Sequence, residues 1–419
     1  MTFLPLVFLA YAVVAFAKPR WAFLLFVGFL PTYLIRFPLG GVPTTALEIL
    51  FAILAVAWFL KREKRLIDIR GWGALLMLWL GVATLQMFVS PDFRAAAGVW
   101  KAYFIEPALF FIMACDFLRT HEERDQALRA LGSTAFAIGG LALIQRFTGW
   151  GVPPPFNGVP IPPATEAEFR STAFYGFPNA IGLFLAPLIP LFVGGIFLAT
   201  NIHDRKDLKI RLAHGLYVAA LCFSLLALLL AESEGAVIGA AAGIAVAGIL
   251  APKTRKLALG LCALGLLVIL AVAPLRHLAV EKATLSDWSG RVRKEIWTET
   301  FEMLKDRPLL GAGLSGYQAT FAPYHKAGHI EIFQYPHTIL LNLWTELGIA
   351  GIAVFALIMA RFFQQALATK SWTLAGGGVA VLVHGLVDVP YFKNDLAMLF
   401  WLLMAFAASH AAETRRVSS

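Results

Sequence analysis

Long apolar stretches separated by short polar connections are the most regular feature of this chain. A membrane-spanning helix needs roughly 20 mostly apolar residues, and about a dozen stretches approach that length. The pattern predicts an all-α fold, a polytopic membrane bundle of about 12–13 transmembrane helices that forms one integral membrane domain over residues 1–419. The predicted helices lie at about 3–17, 21–36, 44–60, 71–90, 98–118, 130–148, 174–199, 212–231, 235–251, 257–275, 337–368, 372–390 and 393–412.

Composition strengthens the membrane interpretation. Of 419 residues, 59% are hydrophobic and 15% are charged, whereas soluble domains have about 25% charged residues. The first stretch, 3–17, lacks a preceding basic region and a clear cleavage site, so we expect a retained helix. Three cysteines, Cys115, Cys222 and Cys262, lie in apolar stretches, which argues against a disulfide framework or a thiolate metal site.

The net charge of +9 is distributed unevenly between the two sets of connections. One set, which includes the connections near 18–20, 61–70, 119–129, 204–211, 252–256, 361–370 and 415–416, holds 21 Lys and Arg. The short connections of the other set hold six. Because basic residues in short loops mark the cytoplasmic side, the first set is predicted to lie inside.

Two longer connections fall on the predicted outer side. The larger, residues 276–336, is long enough to be translocated despite its eight Lys and Arg. Within it, the spacing of Val292, Ile296, Phe301 and Leu304 predicts an amphipathic helix over about 289–305 at the membrane–water boundary. The proline-rich connection 150–172 is expected to be ordered by its rigidity rather than by a helix.

Arginines on this outer side are the first candidates for chemistry. Arginine suits phosphate because its planar guanidinium binds two oxygens at once and stays charged. Arg291 and Arg293 begin the predicted amphipathic helix, where the helix N-terminus also favours an anion. Arg291 is predicted to be the catalytic contact of the diphosphate, with Arg170, Arg293 and Arg276 as further diphosphate ligands, although a solvated loop charge is the alternative for each of them.

His337 is the second candidate, at the predicted start of an otherwise apolar helix beside Pro336. A histidine there is either a helix cap or interface anchor, or a general base, for which its titration range is suitable. Polar groups are costly in a membrane helix and usually have a use, so Asn342 and Glu346 are expected to support the site. Glu346 is expected to do so through an interhelical bond. Structural roles are expected for Glu48 and Glu106.

Metal chemistry has weak support, and no cofactor is predicted. His325 and His329 have the spacing of a zinc pair, but Gly328 lies between them and no helical pattern surrounds them. Glu232 and Glu234 face outward and are the only other candidates weighed, as ligands for a hard cation.

Three segments together resemble the bacterial O-antigen ligase and polymerase family of polytopic glycosyltransferases. FRSTAFYGFPNAIGLFL contributes Arg170, Pro178 and Asn179, and SGRVRKEIWTETFEMLKDRPLLGAGLSGY contributes Arg291, Trp297, Pro308, Gly311, Gly313 and the supporting Tyr317. PHTILLNLWTELGIAG contributes His337, Leu341, Glu346, Gly348 and Gly351. The resemblance covers about 165–412. One departure is Glu234 in Ser233-Glu234-Gly235, where the family commonly has arginine, and Arg170, Arg276 or Arg293 would have to compensate.

The resemblance implies a metal-independent, inverting glycosyltransferase at the outer, periplasmic side of the bacterial inner membrane. It would move a glycan from a polyprenyl-diphosphate carrier to a hydroxyl of a glycolipid or glycan acceptor, with His337 as base and the arginines on the diphosphate. The expected partners are this donor, this acceptor and the lipid bilayer, without nucleic acid.

Three alternatives remain. A ligase, with lipid A core or a similar acceptor, is favoured over a polymerase because the chain is short and has one dominant outward loop. A lipid-linked glycan transporter or flippase is less favoured because no repeat is visible. A metal-dependent glycosyltransferase would use Glu232 and Glu234.

Overall fold

The computed structural model describes residues 3–62, 67–154, 156–158, 169–201 and 208–418. Residues 155 and 159–168 of the predicted proline-rich connection 150–172, and part of the basic connections at 61–70 and 204–211, lie outside these residues. The helices are α1 Leu4–Ala17, α2 Pro19–Gly28, α3 Ala46–Lys61, α4 Gly73–Val89, α5 Phe93–Trp100, α6 Glu106–Phe117, α7 His121–Thr148, α8 Asn179–Leu185, α9 Ile189–Asn201, α10 Leu208–Leu230, α11 Glu234–Leu250, α12 Arg255–Ala271, α13 Ala273–Ala283, α14 Trp288–Asp306, α15 Tyr317–Phe321, α16 Ile339–Ala368, α17 Trp372–His384 and α18 Asn394–Ser418.

The predicted all-α, polytopic fold is confirmed. Six helices in the described residues are long and apolar enough to cross a membrane, or seven if the bent pair α12 and 273–306 is one span. Four more apolar helices, α1, α4, α11 and α17, are 10–17 residues long. The one sheet among the described residues is a two-stranded antiparallel hairpin, β1 Arg36–Leu39 and β2 Val42–Thr45, in which Arg36 pairs with Thr45.

The centre of the bundle is α18. Every residue from Leu396 to Ala408 is buried, which is what a helix apolar on all sides requires. At its first end, Tyr391 accepts hydrogen bonds from the indoles of Trp79 (3.1 Å) and Trp401 (3.2 Å) and donates one to the Tyr103 carbonyl (2.6 Å). These contacts fix the loop 385–393 that leads into α18.

Contacts between distant connections sort them onto two faces of the bundle. On one face, Arg20 bonds Gln126, Arg361 bonds the Arg70 carbonyl and Arg415 bonds Asp68. On the other, Arg170 bonds the Ala231 carbonyl, Arg293 bonds the Val387 carbonyl and Lys282 bonds Glu234. The two groups correspond to the inside and outside sets predicted from the basic residues.

Three predicted boundaries differ from the structure. The predicted helix 372–390 ends at His384, because Leu386, Val387 and Val389 continue the apolar pattern without helical backbone. The loop 276–336 begins with a further helix, α13, and the chain bends by 99° between α12 and the stretch 273–306. The predicted helix 21–36 is divided into α2 and a 3-10 turn, Leu30–Leu34, at Pro31.

Candidate active site

Helix α14 is the element that organises the outer face. It spans Trp288–Asp306, close to the predicted 289–305, and the side chain of Asp287 caps it by accepting the Gly290 N–H. Arg293 and Trp297 are four residues apart and therefore share a face. Through that face, the Arg293 Nε donates to the Val387 carbonyl at 3.2 Å and the Trp297 indole donates to the Pro336 carbonyl at 2.7 Å.

Hydrogen bonds hold the backbone on both sides of His337. The Pro336 carbonyl is held by Trp297, while the Ile339 N–H and the Thr338 hydroxyl both donate to the Gly385 carbonyl, at 2.7 Å and 3.3 Å. Between these anchors His337 has φ +52, a left-handed conformation that is uncommon outside glycine and that concentrates at functional sites. The His337 ring packs edge-on against the Phe333 ring, with the two ring centroids 4.7 Å apart, and its side chain is partly exposed.

Asp388 faces His337 across this turn. Its Oδ1 lies 4.0 Å from the His337 Nδ1 and accepts the Val389 N–H at 2.8 Å. Burial raises the pKa of the Asp388 carboxyl, but the facing His337 and His384 rings outweigh that effect and hold the pKa well below its usual range. At 4.0 Å the pair interacts through charge rather than through a formed hydrogen bond. A carboxylate behind an imidazole fixes the orientation of the ring and stabilises it once it is protonated.

His384 connects this turn to the Ser233-Glu234-Gly235 turn. Its ring is buried against Gly235, where an added Cβ would stand 2.7 Å from the Val387 side chain and 3.1 Å from the ring. Only glycine therefore fits at 235. The His384 Nδ1 has no hydrogen-bond partner among the described residues.

The structure places the four predicted arginines in different surroundings. Arg170 reaches the chain just before the 233–235 turn. It donates to the Ala231 carbonyl at 2.8 Å and 3.0 Å and to Asn179 Oδ1 at 3.0 Å. Arg293 reaches the loop of Asp388. Arg291 is exposed and donates to the Ser286 carbonyl at 3.0 Å. Arg276 is exposed on α13, where it donates to the Leu270 carbonyl, and no contact brings it to His337 in the described residues.

Glu234, which stands where the family commonly has arginine, forms an ion pair. Glu234 pairs with Lys282 at 2.6 Å, and Lys282 also pairs with Asp287, the cap of α14, at 2.9 Å. The carboxylate at this turn is therefore accompanied by a lysine from α13. Because the Glu234 carboxylate is paired with Lys282, the geometry does not support a cation site at Glu232 and Glu234.

The predicted supporting residues pack below the site. Glu346 is buried and accepts the Ser315 N–H at 2.6 Å, which ties α16 to the turn after Gly313. The Tyr317 hydroxyl bonds Thr300 at 2.8 Å and so joins α15 to α14. Asn342 is buried one turn after His337, and neither side-chain atom has a partner within the described part of the chain.

A backbone break in α16 explains the glycine of the third segment. Gly348 has φ +66 and ψ −173 inside the helix, and the Ile349 N–H donates to the Leu309 carbonyl at 3.1 Å. The Ala312 N–H donates to the Thr345 carbonyl at 2.7 Å in the same region. A side chain at 348 would be strained by the positive φ and would meet the Leu309 carbonyl. The Pro308-to-Gly313 turn therefore docks directly onto the helix that follows His337.

His384 and Asp388 were not predicted as site residues, because the sequence pattern placed both within an apolar helix. The signal that could have revealed them is HGLVDVPYFKND, 384–395, in which His384, Asp388, Lys393 and Asp395 interrupt an apolar run near a membrane surface. His325 and His329, weighed as a zinc pair, turn to different carboxylates: His325 lies 2.8 Å from Glu299 and His329 lies 3.5 Å from Glu295.

Comparison with known families adds an independent finding. The family described as O-antigen ligase matches residues 219–356, a region that starts after Arg170 and includes the 233–235 turn, α14 and His337. No curated protein matches the chain. Proteins of this family are membrane enzymes of glycan assembly, of ligase or polymerase type. The resemblance found in the sequence is thus confirmed over residues 219–356, which match the O-antigen ligase family.

Proposed function

We propose that the protein transfers a glycan from a polyprenyl-diphosphate carrier to an acceptor hydroxyl, as a ligase whose acceptor is lipid A core or a similar glycolipid. The observation that carries this proposal is the strained, doubly anchored His337, with Asp388 behind it and Arg293 on the same loop. The family match, which includes His337 and Arg293 and ends before Asp388, supports the same reaction class.

In the proposed reaction His337 acts as general base. It takes the proton of the acceptor hydroxyl while the hydroxyl oxygen attacks the anomeric carbon of the donor sugar. The bond between that carbon and the diphosphate oxygen breaks, so the glycan inverts at the anomeric centre and polyprenyl diphosphate leaves. Asp388 compensates the charge that the imidazole gains.

The leaving diphosphate needs charge stabilisation rather than protonation. Arginines aimed at the developing charge supply it without metal or nucleotide. Arg293 is the best-placed arginine, because it is bonded to the loop that carries Asp388. Arg170 and Arg291 assist in this proposal, and Arg276 adds positive charge on the same face.

The site lies at the bundle face that has few basic short loops, which supports a periplasmic active site in the bacterial inner membrane. The polyprenyl tail would then approach through lipid. Helix α12 offers a path for it, because none of its residues is buried against the bundle.

The proposal is tested by reconstituting the purified protein in lipid nanodiscs with a synthetic polyprenyl-diphosphate glycan. Lipid A core and a free glycan are offered as competing acceptors, and products are identified by mass spectrometry. We expect a glycan–lipid A core product that forms in EDTA and is lost in His337→Ala but not in the matched control His121→Ala, which lies on the opposite face. A lengthened free glycan would identify a polymerase instead, and absence of any glycan transfer by the wild type would refute the proposal.

A further inference from the structure

A second polar cluster lies beside the candidate active site, at the start of α18. The Lys393 Nζ, the Asp395 Oδ2 and the Tyr175 hydroxyl are each shielded from solvent without a hydrogen-bond partner among the described residues. Tyr175 is 3% exposed and Asp395 is fully buried. An unsatisfied buried polar group costs about 1–3 kcal/mol. A cluster of such groups therefore indicates a binding site in which a polar ligand supplies the missing hydrogen bonds.

Asp395 links the cluster, because it acts at close range on the Tyr175 hydroxyl and through charge on Lys393. Burial raises the pKa of the Tyr175 hydroxyl, and the nearby Asp395 carboxylate raises it further. Burial also lowers the pKa of Lys393 to about 8, against the opposing effect of Asp395 and Asp388. The Lys393 Nζ instead stands 3.5 Å from the centroid of the Phe177 ring, which is partly exposed.

The chemistry of the cluster matches sugar hydroxyls. A carboxylate only accepts hydrogen bonds, an ammonium only donates them, and a phenol does both. A sugar presents adjacent hydroxyls that each donate and accept, so a sugar ring offers a matching partner for each of these groups. The aromatic ring of Phe177 adds the apolar surface that small-molecule sites combine with a few convergent polar groups.

The cluster is also close to His337 along the same loop. The Tyr335 hydroxyl, two residues before His337, donates to the Phe392 carbonyl at 3.0 Å, next to Lys393. Asp388, which faces His337, acts electrostatically on Lys393 as well. A sugar bound by the cluster would therefore lie beside the proposed base.

We propose that Lys393, Asp395 and Tyr175 form the acceptor subsite, which holds the sugar ring whose hydroxyl His337 deprotonates. The inference rests on the proposed function and deepens it. It separates the acceptor, held by this cluster, from the donor diphosphate, held by the arginines of α14 and by Arg170, which bonds the Ala231 carbonyl.

The test measures binding and transfer with the same proteins. Deacylated lipopolysaccharide core oligosaccharide is titrated into the purified protein by calorimetry, with His337→Ala included to show that binding does not need the base. We expect Tyr175→Phe to weaken binding about 3- to 10-fold and Asp395→Asn about 10- to 100-fold. Both should raise the acceptor KM in the transfer assay and leave the donor KM unchanged. Tyr11→Phe and Asp116→Asn, buried or half-buried groups bonded elsewhere, are the matched controls.

The outcomes separate the two proposals. Transfer by the wild type, together with unchanged binding and acceptor KM in Tyr175→Phe and Asp395→Asn, would show that the cluster holds only water, and would overturn the subsite alone. Wild-type protein that binds the oligosaccharide but transfers nothing would refute the proposed function. Wild-type protein that binds no oligosaccharide would refute the subsite. Melting temperatures identify misfolded variants, and Tyr175→Phe, which removes an unbonded hydroxyl, should fold normally.

Discussion

At the scale of single residues, two arginines of the same helix, α14, have different hydrogen-bond partners. Arg293 is turned towards the loop of Asp388, whereas Arg291, two positions earlier, bonds its own helix cap region at Ser286. Spacing along α14 explains the difference, because residues two apart do not face the same side of a helix. The sequence predicted Arg291 as the principal diphosphate contact and Arg293 as an assisting one, because it does not reveal that the 385–393 loop lies against Arg293.

We therefore expect Arg293→Ala to slow glycan transfer by about one to two orders of magnitude, the loss of a charge-assisted contact worth about 1.5–3 kcal/mol. Arg291→Ala should also slow transfer, but less. Arg293→Lys should restore only part of the rate, because an ammonium lacks the planar fork. Initial rates in nanodiscs measure this, with Arg20→Ala on the opposite face as control. A normal rate for Arg293→Ala would remove Arg293 from the site.

Asp388 provides a second prediction at this scale. Asp388→Asn keeps the acceptor for the Val389 N–H but removes the charge facing His337. We expect transfer to fall about 10- to 100-fold while polyprenyl-diphosphate binding is retained, because the diphosphate ligands are intact. An unchanged rate would mean that Asp388 only supports the backbone of its loop.

At the scale of elements, the ion pair between His325 and Glu299 joins the segment after α15 to α14. The His325 Nδ1 lies 2.8 Å from Glu299 and its Nε2 lies 2.8 Å from the Ile330 carbonyl. Both neighbours are acceptors, so only a doubly protonated ring can donate to both. Glu299 also accepts the N–H groups of Lys326 and Ala327. This contact fixes the chain as it approaches His337.

The contact gives a pH prediction. The bond to Glu299 raises the pKa of His325, so the stabilisation is fully present below the unfolded-state pKa of about 6.5 and is lost as pH rises through the folded-state value. Burial raises the pKa of Glu299, but the His325 and backbone bonds lower it overall, so its contribution is lost only as pH falls through that depressed value. Hydrogen exchange of 322–330, corrected for intrinsic rates, should therefore speed up between pH 6 and 9. His325→Gln should abolish this change, and protection that increases with pH would contradict the assignment.

Elements set by local pattern were predictable, and those set by distant contacts were not. The helix α14 follows from the spacing of Ile296 and Leu304 with charges between them. The break at Gly348 does not, because it depends on Leu309 approaching from another segment. The end of α17 at His384 was missed because apolar residues continue beyond it.

At the scale of the whole molecule, hydrophobic length was enough to predict the fold class, and the basic residues were enough to sort the connections onto two faces. The candidate site required the tertiary structure. His337 and the arginines carry sequence motifs, but Asp388, His384 and the Lys393 cluster acquire meaning only when the 385–393 loop is placed against α14 and the 336–339 turn.

The orientation in the membrane is a prediction at this scale. In a background with the three cysteines replaced by alanine, Lys326→Cys should react with an impermeant maleimide in intact cells, because it is exposed on the outward face. Glu122→Cys, exposed at the start of α7 on the opposite face, should react only after permeabilisation. The reverse pattern would invert the topology and place the site in the cytoplasm.

The central claim is that His337 removes the acceptor proton, and a pH–rate profile of wild type, His337→Ala and His337→Gln tests it most directly. The account predicts a wild-type rate that falls at acidic pH, because the protonated ring cannot accept a proton, and a loss of about 10²–10⁴-fold in both variants with donor binding intact. Glutamine should not rescue, because an amide can hold a hydrogen bond but cannot take the proton. Near-normal turnover by His337→Gln, or a wild-type rate that rises at acidic pH, would contradict the general-base role.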